Sequence, residues 1–301
     1  MLTTDKIAEY AKTPDTFISL VEESYFEKVH ELAISIRENP LKKIVLLAGP
    51  SASGKTTTSH ILRKDLERRN IKATVLSLDN FYGGNHKMPT LPNGTPDFES
   101  VYSLDLDEIH RSLNEIILNN KTYIPVFDFI NHVRAKEKEL IDIGNNGVLI
   151  VEGLHALNPV ITDSLPKENL FKIYISVSNS IYNKNGEKVL NSRDMRLIRR
   201  LSRDAVYRNS DAFNTLHLWT GVVLGEEKYL YKFKPTADVR LGTLHAYEPC
   251  IFKDIILKLL ENINETYENY ESAVKIKNAL KLFPSISPDK VPKSSLIREF
   301  L

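Results

Sequence analysis

An α/β fold is what this sequence predicts: a parallel five-stranded sheet with helices on both faces, a β-hairpin insert and helical extensions at each end. Three observations predict it. Five short apolar runs, at Ile44–Ala48, 73–78, 147–151, 171–177 and 237–241, have the length and composition of buried parallel strands. Helical periodicities separate most of them, the alternation that parallel strands joined by crossovers require. The turn after the first run reads Gly49-Pro50-Ser51-Ala52-Ser53-Gly54-Lys55-Thr56-Thr57, which sets the pattern G-x-x-x-x-G-K-[ST] between a strand and a helix.

That context makes residues 49–57 a phosphate-binding loop of the P-loop NTPase type. Gly49 and Gly54 allow the backbone to wrap closely around an anion, and the helix that follows points its first N–H groups and the positive end of its dipole at the phosphates. Lys55 is expected to reach the β- and γ-phosphates, and the Thr56 hydroxyl to hold a Mg²⁺ ion. A chance occurrence of the pattern in a Gly/Ser-rich loop would lack the strand before it and the amphipathic helix carrying Ile61, Leu62 and Leu66 after it. The loop therefore implies binding of a nucleoside triphosphate.

Taken in order, residues 1–40 predict a helical N-terminal extension. Thr13 reads as an N-cap with Pro14 at the first helical position. Phe17, Leu20, Val21, Val29, Leu32, Ala33 and Ile36 recur at helical spacing until Asn39-Pro40 ends the pattern. Such a stripe is a packing face, set against the core domain or a second copy of the chain. The second strand ends in Asp79-Asn80-Phe81-Tyr82, and in an open parallel sheet ligands sit at the carboxyl ends of strands. Asp79 thus emerges near the phosphates, where a lone turn aspartate would otherwise carry no meaning.

Residues 83–100, with Gly83, Gly84, Pro89, Pro92, Gly94 and Pro96, predict a mobile loop whose end offers two carboxylates, Asp97 and Glu99. A helix follows over 104–118, with Leu106, Ile109, Leu113, Ile116 and Ile117 inward. Residues 122–127 and 139–143 then predict a hairpin across Asn131-His132-Val133-Arg134. The third strand ends in Glu152, at the same edge as Lys55, where a carboxylate helps hold the metal or its waters.

Residues 193–208 are the most basic stretch, and Arg196, Arg199, Arg200 and Arg203 share one face of a helix there. A solvated charged face is the ordinary reading; a lid over a transferring phosphate is the functional one. Nucleic acid is disfavoured, because no aromatic residues interleave the arginines and 40 basic residues against 39 acidic ones leave a net charge of only +1.

Composition narrows the rest. Hydrophobic content of 42% and charged content of 26% place the chain among globular proteins rather than disordered ones. The single cysteine, Cys250, excludes an internal disulfide and fits a reducing compartment. No apolar run approaches the ~20 residues that span a bilayer, and the start lacks the plan of a signal peptide. A soluble, cytoplasmic protein without membrane or nucleic-acid partners is expected.

These residues together resemble the uridine kinase and phosphoribulokinase group of phosphate-loop kinases, over about residues 42–260. The resemblance is carried by the loop itself, by Asp79-Asn80-Phe81-Tyr82, by Phe127-Asp128-Phe129-Ile130-Asn131-His132-Val133-Arg134, by Val151-Glu152-Gly153 and by Arg199-Arg200-Leu201-Ser202-Arg203-Asp204. It implies a kinase core at 41–260 between a helical N-terminal extension at 1–40 and a helical C-terminal extension and tail at 261–301. Asp97-Phe98-Glu99-Ser100 and the tail Ser295-Leu296-Ile297-Arg298-Glu299-Phe300 resemble bacterial nucleoside-kinase-like proteins.

The resemblance implies an ATP- and Mg²⁺-dependent transfer to the primary hydroxyl of a small-molecule acceptor, a nucleoside or sugar alcohol. Asp79 is then the base on that hydroxyl, with Tyr82 lining the substrate site. Asp97 grips ribose hydroxyls with Arg200 as partner, and His132 contacts the base. Arg203 and Arg208 are lid arginines that meet the triphosphate. Three departures concern the base: uridine-cytidine kinases usually carry tyrosine at the position of Phe127, a glycine-arginine pair at Asn209-Ser210, and a glutamine at Leu218. A kinase of another sugar or acid alcohol, and a nucleotide-binding regulator without turnover, are the rival readings.

Overall fold

The computed structural model describes residues 1–83, 89–90, 97–128, 131 and 133–301. The chain opens with a two-residue strand, β1 (Leu2–Thr3), and two helices, α1 (Thr4–Tyr10) and α2 (Pro14–Arg37). Pro14 does open α2, because its missing N–H would have been unbonded there. Thr13 holds the N-cap position without capping: its hydroxyl turns back to the Tyr10 carbonyl at 3.5 Å. Next come β2 (Ile44–Ala48), α3 (Lys55–Glu67), β3 (Ala73–Ser77) and α4 (Leu106–Asn119). The insert is a nested hairpin of β4 (Lys121–Ile124), β5 (Phe127–Asp128), β6 (Val133–Arg134) and β7 (Glu139–Asp142), in which β4 pairs with β7 and β5 with β6.

The chain returns through β8 (Val148–Glu152), the short α5 (Pro159–Thr162) and β9 (Leu170–Ser176). A small antiparallel pair, β10 (Ile181–Tyr182) and β11 (Lys188–Leu190), leads into α6 (Ser192–Tyr207) and α7 (Ala212–Tyr229). Strand β12 (Val239–Gly242), helices α8 (Glu248–Leu259) and α9 (Tyr270–Leu280) and a 3₁₀ turn at Leu296–Phe300 complete the chain.

The main sheet has the order β12-β9-β2-β8-β3 with every pair parallel, as the five apolar runs predict. Strand β2 lies at its centre and is buried along its whole length. Its side chains alternate between two cores: Val45 and Leu47 join α2, α3, α6, α8 and α9 on one face. Ile44, Leu46 and Ala48 join α4 and the hairpin on the other. Burying such a side chain contributes roughly 1.5–3 kcal/mol.

Of the stripe on α2, Phe17, Val29, Leu32, Ala33 and Ile36 are buried in the same cluster as the sheet and Val21 packs against it, whereas Leu20 is 61% exposed. The N-terminal stretch is not wholly helical, since β1 pairs parallel with β10. Two residues are too few to show a strand's periodicity. Cys250 is buried, as its apolar character implies. No helix among the described residues is long and apolar enough to cross a membrane.

Candidate functional site

Both glycines of the phosphate loop are required by close approach. A Cβ on Gly49 would lie 2.6 Å from the Ile175 carbonyl oxygen. Gly54 has φ +87°, and a Cβ there would meet the Leu296 side chain at 2.6 Å. Gly54 is the N-cap of α3, so the N–H groups of Lys55, Thr56 and Thr57 face forward from the helix start.

The loop is held from beneath by buried charges. Glu226 of α7 accepts from the Ser51 N–H at 2.8 Å, and Arg196 of α6 donates to the Ser51 carbonyl at 3.1 Å while pairing with Glu226 at 2.6 Å. Arg199 pairs with Glu248 through two bonds of 2.7 Å and also donates to the Ala52 carbonyl at 3.2 Å. Thr243 donates to the Ser53 carbonyl at 2.8 Å. The basic stretch is therefore not a solvated face: Arg196 is 1% exposed and Arg199 fully buried.

At the carboxyl ends of β2, β3 and β8 lies a cleft of about 270 Å³. A larger groove of about 640 Å³ runs between α2 and α3, but it lies away from the strand ends where ligands bind in open sheets. The smaller cleft collects the predicted chemistry. Lys55, Thr56, Asp79, Tyr82 and Glu152 line it from the sheet side, and Arg200, Arg203 and Arg208 from α6. Lys55 Nζ folds back to the Pro50 carbonyl at 3.2 Å. The buried carboxylate of Asp204 organises the arginines, lying 3.1 Å from Arg200, 3.0 Å from Arg203 and 3.6 Å from Arg208.

The carboxylates of the cleft are poorly solvated. Burial pushes Glu152 up to about 7 despite the Lys55 charge, with Asp79 adding to the rise. Asp79, on the 3₁₀ turn at Leu78–Phe81, keeps surface toward the cleft, yet desolvation by the surrounding protein raises it against the pull of Lys55 and Arg208. Glu99 is also raised to about 7, by burial first and the nearby Glu226 second. A cluster of this kind favours a bound cation or shared protons.

The residues expected at the acceptor end are only partly brought together in this cleft. Asp97 is buried behind the cleft, where it accepts from the Tyr229 hydroxyl at 2.9 Å and lies 3.9 Å from Lys228. Arg200 donates to Ser51 Oγ at 3.1 Å and pairs with Asp204, so the two expected partners bond elsewhere. Glu99, two residues on, is the carboxylate that faces Lys55, Asp79 and Arg200. Its side chain packs where a Cβ on Gly225 would stand, at 2.6 Å. Tyr82 donates to the Phe98 carbonyl at 2.9 Å, and its ring lies 6.0 Å from that of Phe127. His132 lies outside the described residues, as does much of the loop predicted over 83–100. Ser210 accepts from Asn214 at the start of α7, and Leu218 is 47% exposed, so neither lines the cleft.

Sequence reasoning missed Glu226, Asp204 and Glu299 as members of this site. Glu299, from the C-terminal turn, accepts from the Thr57 hydroxyl at 2.7 Å and from its N–H at 3.3 Å. The tail stretch that holds it carries part of the resemblance, but no spacing ties that stretch to Thr57.

The model described as "Phosphoribulokinase / Uridine kinase family" matches residues 44–245, more than half of the chain. A uridine kinase of Mycoplasma genitalium is 28% identical over 199 residues, which are 66% of this chain and 84% of that protein. A uridine kinase of Saccharomyces cerevisiae is 26% identical over 234 residues, 71% of this chain but 42% of the yeast protein. The solved structure of a candidate fructose transport system kinase from a Silicibacter species aligns with 70% of this chain and 98% of its own, at 18% identity and a TM-score of 0.49.

Proposed function

Because the chain belongs to the Phosphoribulokinase / Uridine kinase family, we propose that it transfers the γ-phosphate of ATP to the 5′-hydroxyl of a nucleoside. The observation that carries this reading is one cleft in which the phosphate loop and the carboxylate of Asp79 face each other. Relatives named uridine kinase support a nucleoside as acceptor. The kinase core is proposed at 41–260, with 1–40 and 261–301 as extensions.

Transfer forms a bond from the acceptor oxygen to the γ-phosphorus and breaks the bond to the β–γ bridging oxygen, which leaves with ADP. Such a reaction needs in-line positioning and neutralisation of charge more than covalent help. Lys55 and the N–H groups of α3 hold the phosphates, while Arg200, Arg203 and Arg208 oppose the negative charge of the transferring group. Asp79 accepts the proton of the attacking hydroxyl. Burial raises its pKa against the pull of Lys55 and Arg208, so that its ionised form is a stronger base than a free carboxylate.

Mg²⁺ fits the donors present, because that ion takes one or two protein carboxylates and completes its shell with phosphates and water. Thr56 and Glu152 would hold it, and the buried, raised Glu152 is a carboxylate that gains by meeting a cation. Bound there, the ion would screen phosphate charge. At the acceptor end we assign the ribose hydroxyls to Glu99, because it lines the cleft and Asp97 does not. Tyr82 and Phe127 offer aromatic surface beyond it.

The test is kcat/KM for uridine, cytidine, adenosine, guanosine, inosine, their deoxy forms and ribulose 5-phosphate. A site that bonds a sugar hydroxyl discriminates by ~10⁴ against its absence, so ribonucleosides should lead deoxyribonucleosides. With Phe127 as a wall without a donor, discrimination between uridine and cytidine should be weak. Activity confined to ribulose 5-phosphate would remove the nucleoside reading.

A further inference from the structure

The C-terminal turn at Leu296–Phe300 lies directly on the start of the phosphate-loop helix, and its backbone is firmly pinned. Ser295 Oγ donates to Glu22 of α2 at 2.6 Å, and the Tyr247 hydroxyl bonds to the same carboxylate oxygen. Leu296, Ile297 and Phe300 are fully buried. Leu296 fills the space beside Gly54, and the Arg199 guanidinium stands 5.1 Å from the Phe300 ring centroid. Tyr207 closes the end by donating to the Leu301 carbonyl at 2.6 Å.

This pinned backbone aims one charged group at the loop. Glu299 Oε2 takes both donors of Thr57, the hydroxyl at 2.7 Å and the N–H at 3.3 Å. Thr57 is the third residue of α3, so its N–H is among those a helix leaves unbonded at its start. Those are the donors an anion uses at a helix N-terminus. The first helical bond closes only at the next residue, where the Thr58 N–H meets the Gly54 carbonyl at 2.9 Å. A carboxylate held here does what a phosphate oxygen would do.

We propose that Glu299 is a built-in competitor of the triphosphate: its carboxylate occupies an anion donor of the phosphate loop and lowers nucleotide affinity until it is displaced. The proposal rests on the reading of the cleft as a nucleotide site. The anchors around Glu299 are buried, whereas its own side chain is partly exposed to the cleft, so displacement is a swing of one side chain while the turn stays docked. Charge acts in the same direction. Glu299 adds a carboxylate to a cleft that already holds Asp79, Glu99 and Glu152, which opposes a polyanion. Conversely, any event that lifts the tail from Gly54 would remove the competitor and tighten nucleotide binding, since the two compete for one donor.

The test is calorimetric titration of ATP into the full chain and into Glu299→Gln and Glu299→Ala, beside thermal melting of each without nucleotide. Both variants should bind ATP about tenfold more tightly, equivalent to about 1.4 kcal/mol. Both should also melt slightly lower when nucleotide-free, because a negative group at a helix N-terminus is lost. Opposite signs in the two measurements mark a competitor; a strut would lower melting temperature without tightening ATP. If the wild type binds ATP and the variants bind it equally or more weakly, the competitor assignment is overturned. If neither the wild type nor a variant binds ATP, the nucleotide reading fails and takes this one with it.

Discussion

At the phosphate end of the cleft, each loop residue from Ser51 to Ser53 is bonded to a buried polar or charged group of α6, α7 or the turn after β12. At the acceptor end, Glu99, Glu152 and Asp79 crowd together, and desolvation raises all three. The first region is pre-organised, with its dipoles and cations fixed before any ligand arrives, the condition under which electrostatic stabilisation of a reaction is most effective. The second is a set of crowded carboxylates, raised by burial against the pull of Lys55 and the neighbouring arginines. One cleft thus combines a rigid loop of helix-start donors with an acidic half, which the proposed function assigns to cation and acceptor.

The sharpest way to break this comparison is to change one carboxylate of the acidic half. Asp79→Asn preserves size but removes the carboxylate proposed as the base. ATP should still bind while kcat falls by roughly 10²–10⁴-fold. Loss of ATP binding with single-turnover chemistry intact would instead make Asp79 a metal-site residue, and calorimetry with rapid-quench kinetics separates the two.

The rigid half is tested through its buried pair. Arg199→Met leaves Glu248 charged and unpaired in the interior, which should cost about 3–5 kcal/mol and lower the melting temperature sharply. Adding Glu248→Leu removes the orphaned charge and should restore much of the stability, but not the bond to the Ala52 carbonyl. Nucleotide affinity should therefore stay weakened in the double variant. Full recovery of affinity would show that the loop keeps its shape without support from below.

A smaller effect concerns pH. Glu152 titrates near 4.5 when unfolded and at about 7 in the folded protein, so the folded state binds more protons between those values. The stability this group contributes is present below about pH 4.5 and is lost as pH rises through 7. The full shift corresponds to about 3 kcal/mol. Denaturant melts of the metal-free protein from pH 4.5 to 8 should show that slope, and Glu152→Gln should flatten it. An unchanged slope in the variant would assign it to other groups, with Glu99 the first to examine.

What was legible in the sequence follows the range of the interactions. The phosphate loop, Asp79 and Glu152 each sit at the end of an apolar run, so local pattern and sheet topology place them together. The spacing of Arg196 and Arg199 shows that they share a face but not that it turns inward. Their partners Glu226 and Glu248 are 30 and 49 positions away. That Glu99 lines the cleft and Asp97 does not was hidden because the two lie two residues apart, and Glu99 packs over the distant Gly225. Glu299 meets Thr57 across 242 positions, a distance at which periodicity carries no information.

The measurement that bears most directly on a cleft with one anion-binding and one acidic end is the fate of the terminal phosphate. ATP labelled in its γ-phosphate is incubated with the protein, Mg²⁺ and uridine or another ribonucleoside, and the products are separated. Label should appear in a nucleoside 5′-monophosphate at a rate that Asp79→Asn lowers, with ADP formed in equal amount. Label found only in inorganic phosphate, for every alcohol offered, would contradict the assignment of the acidic end as an acceptor site.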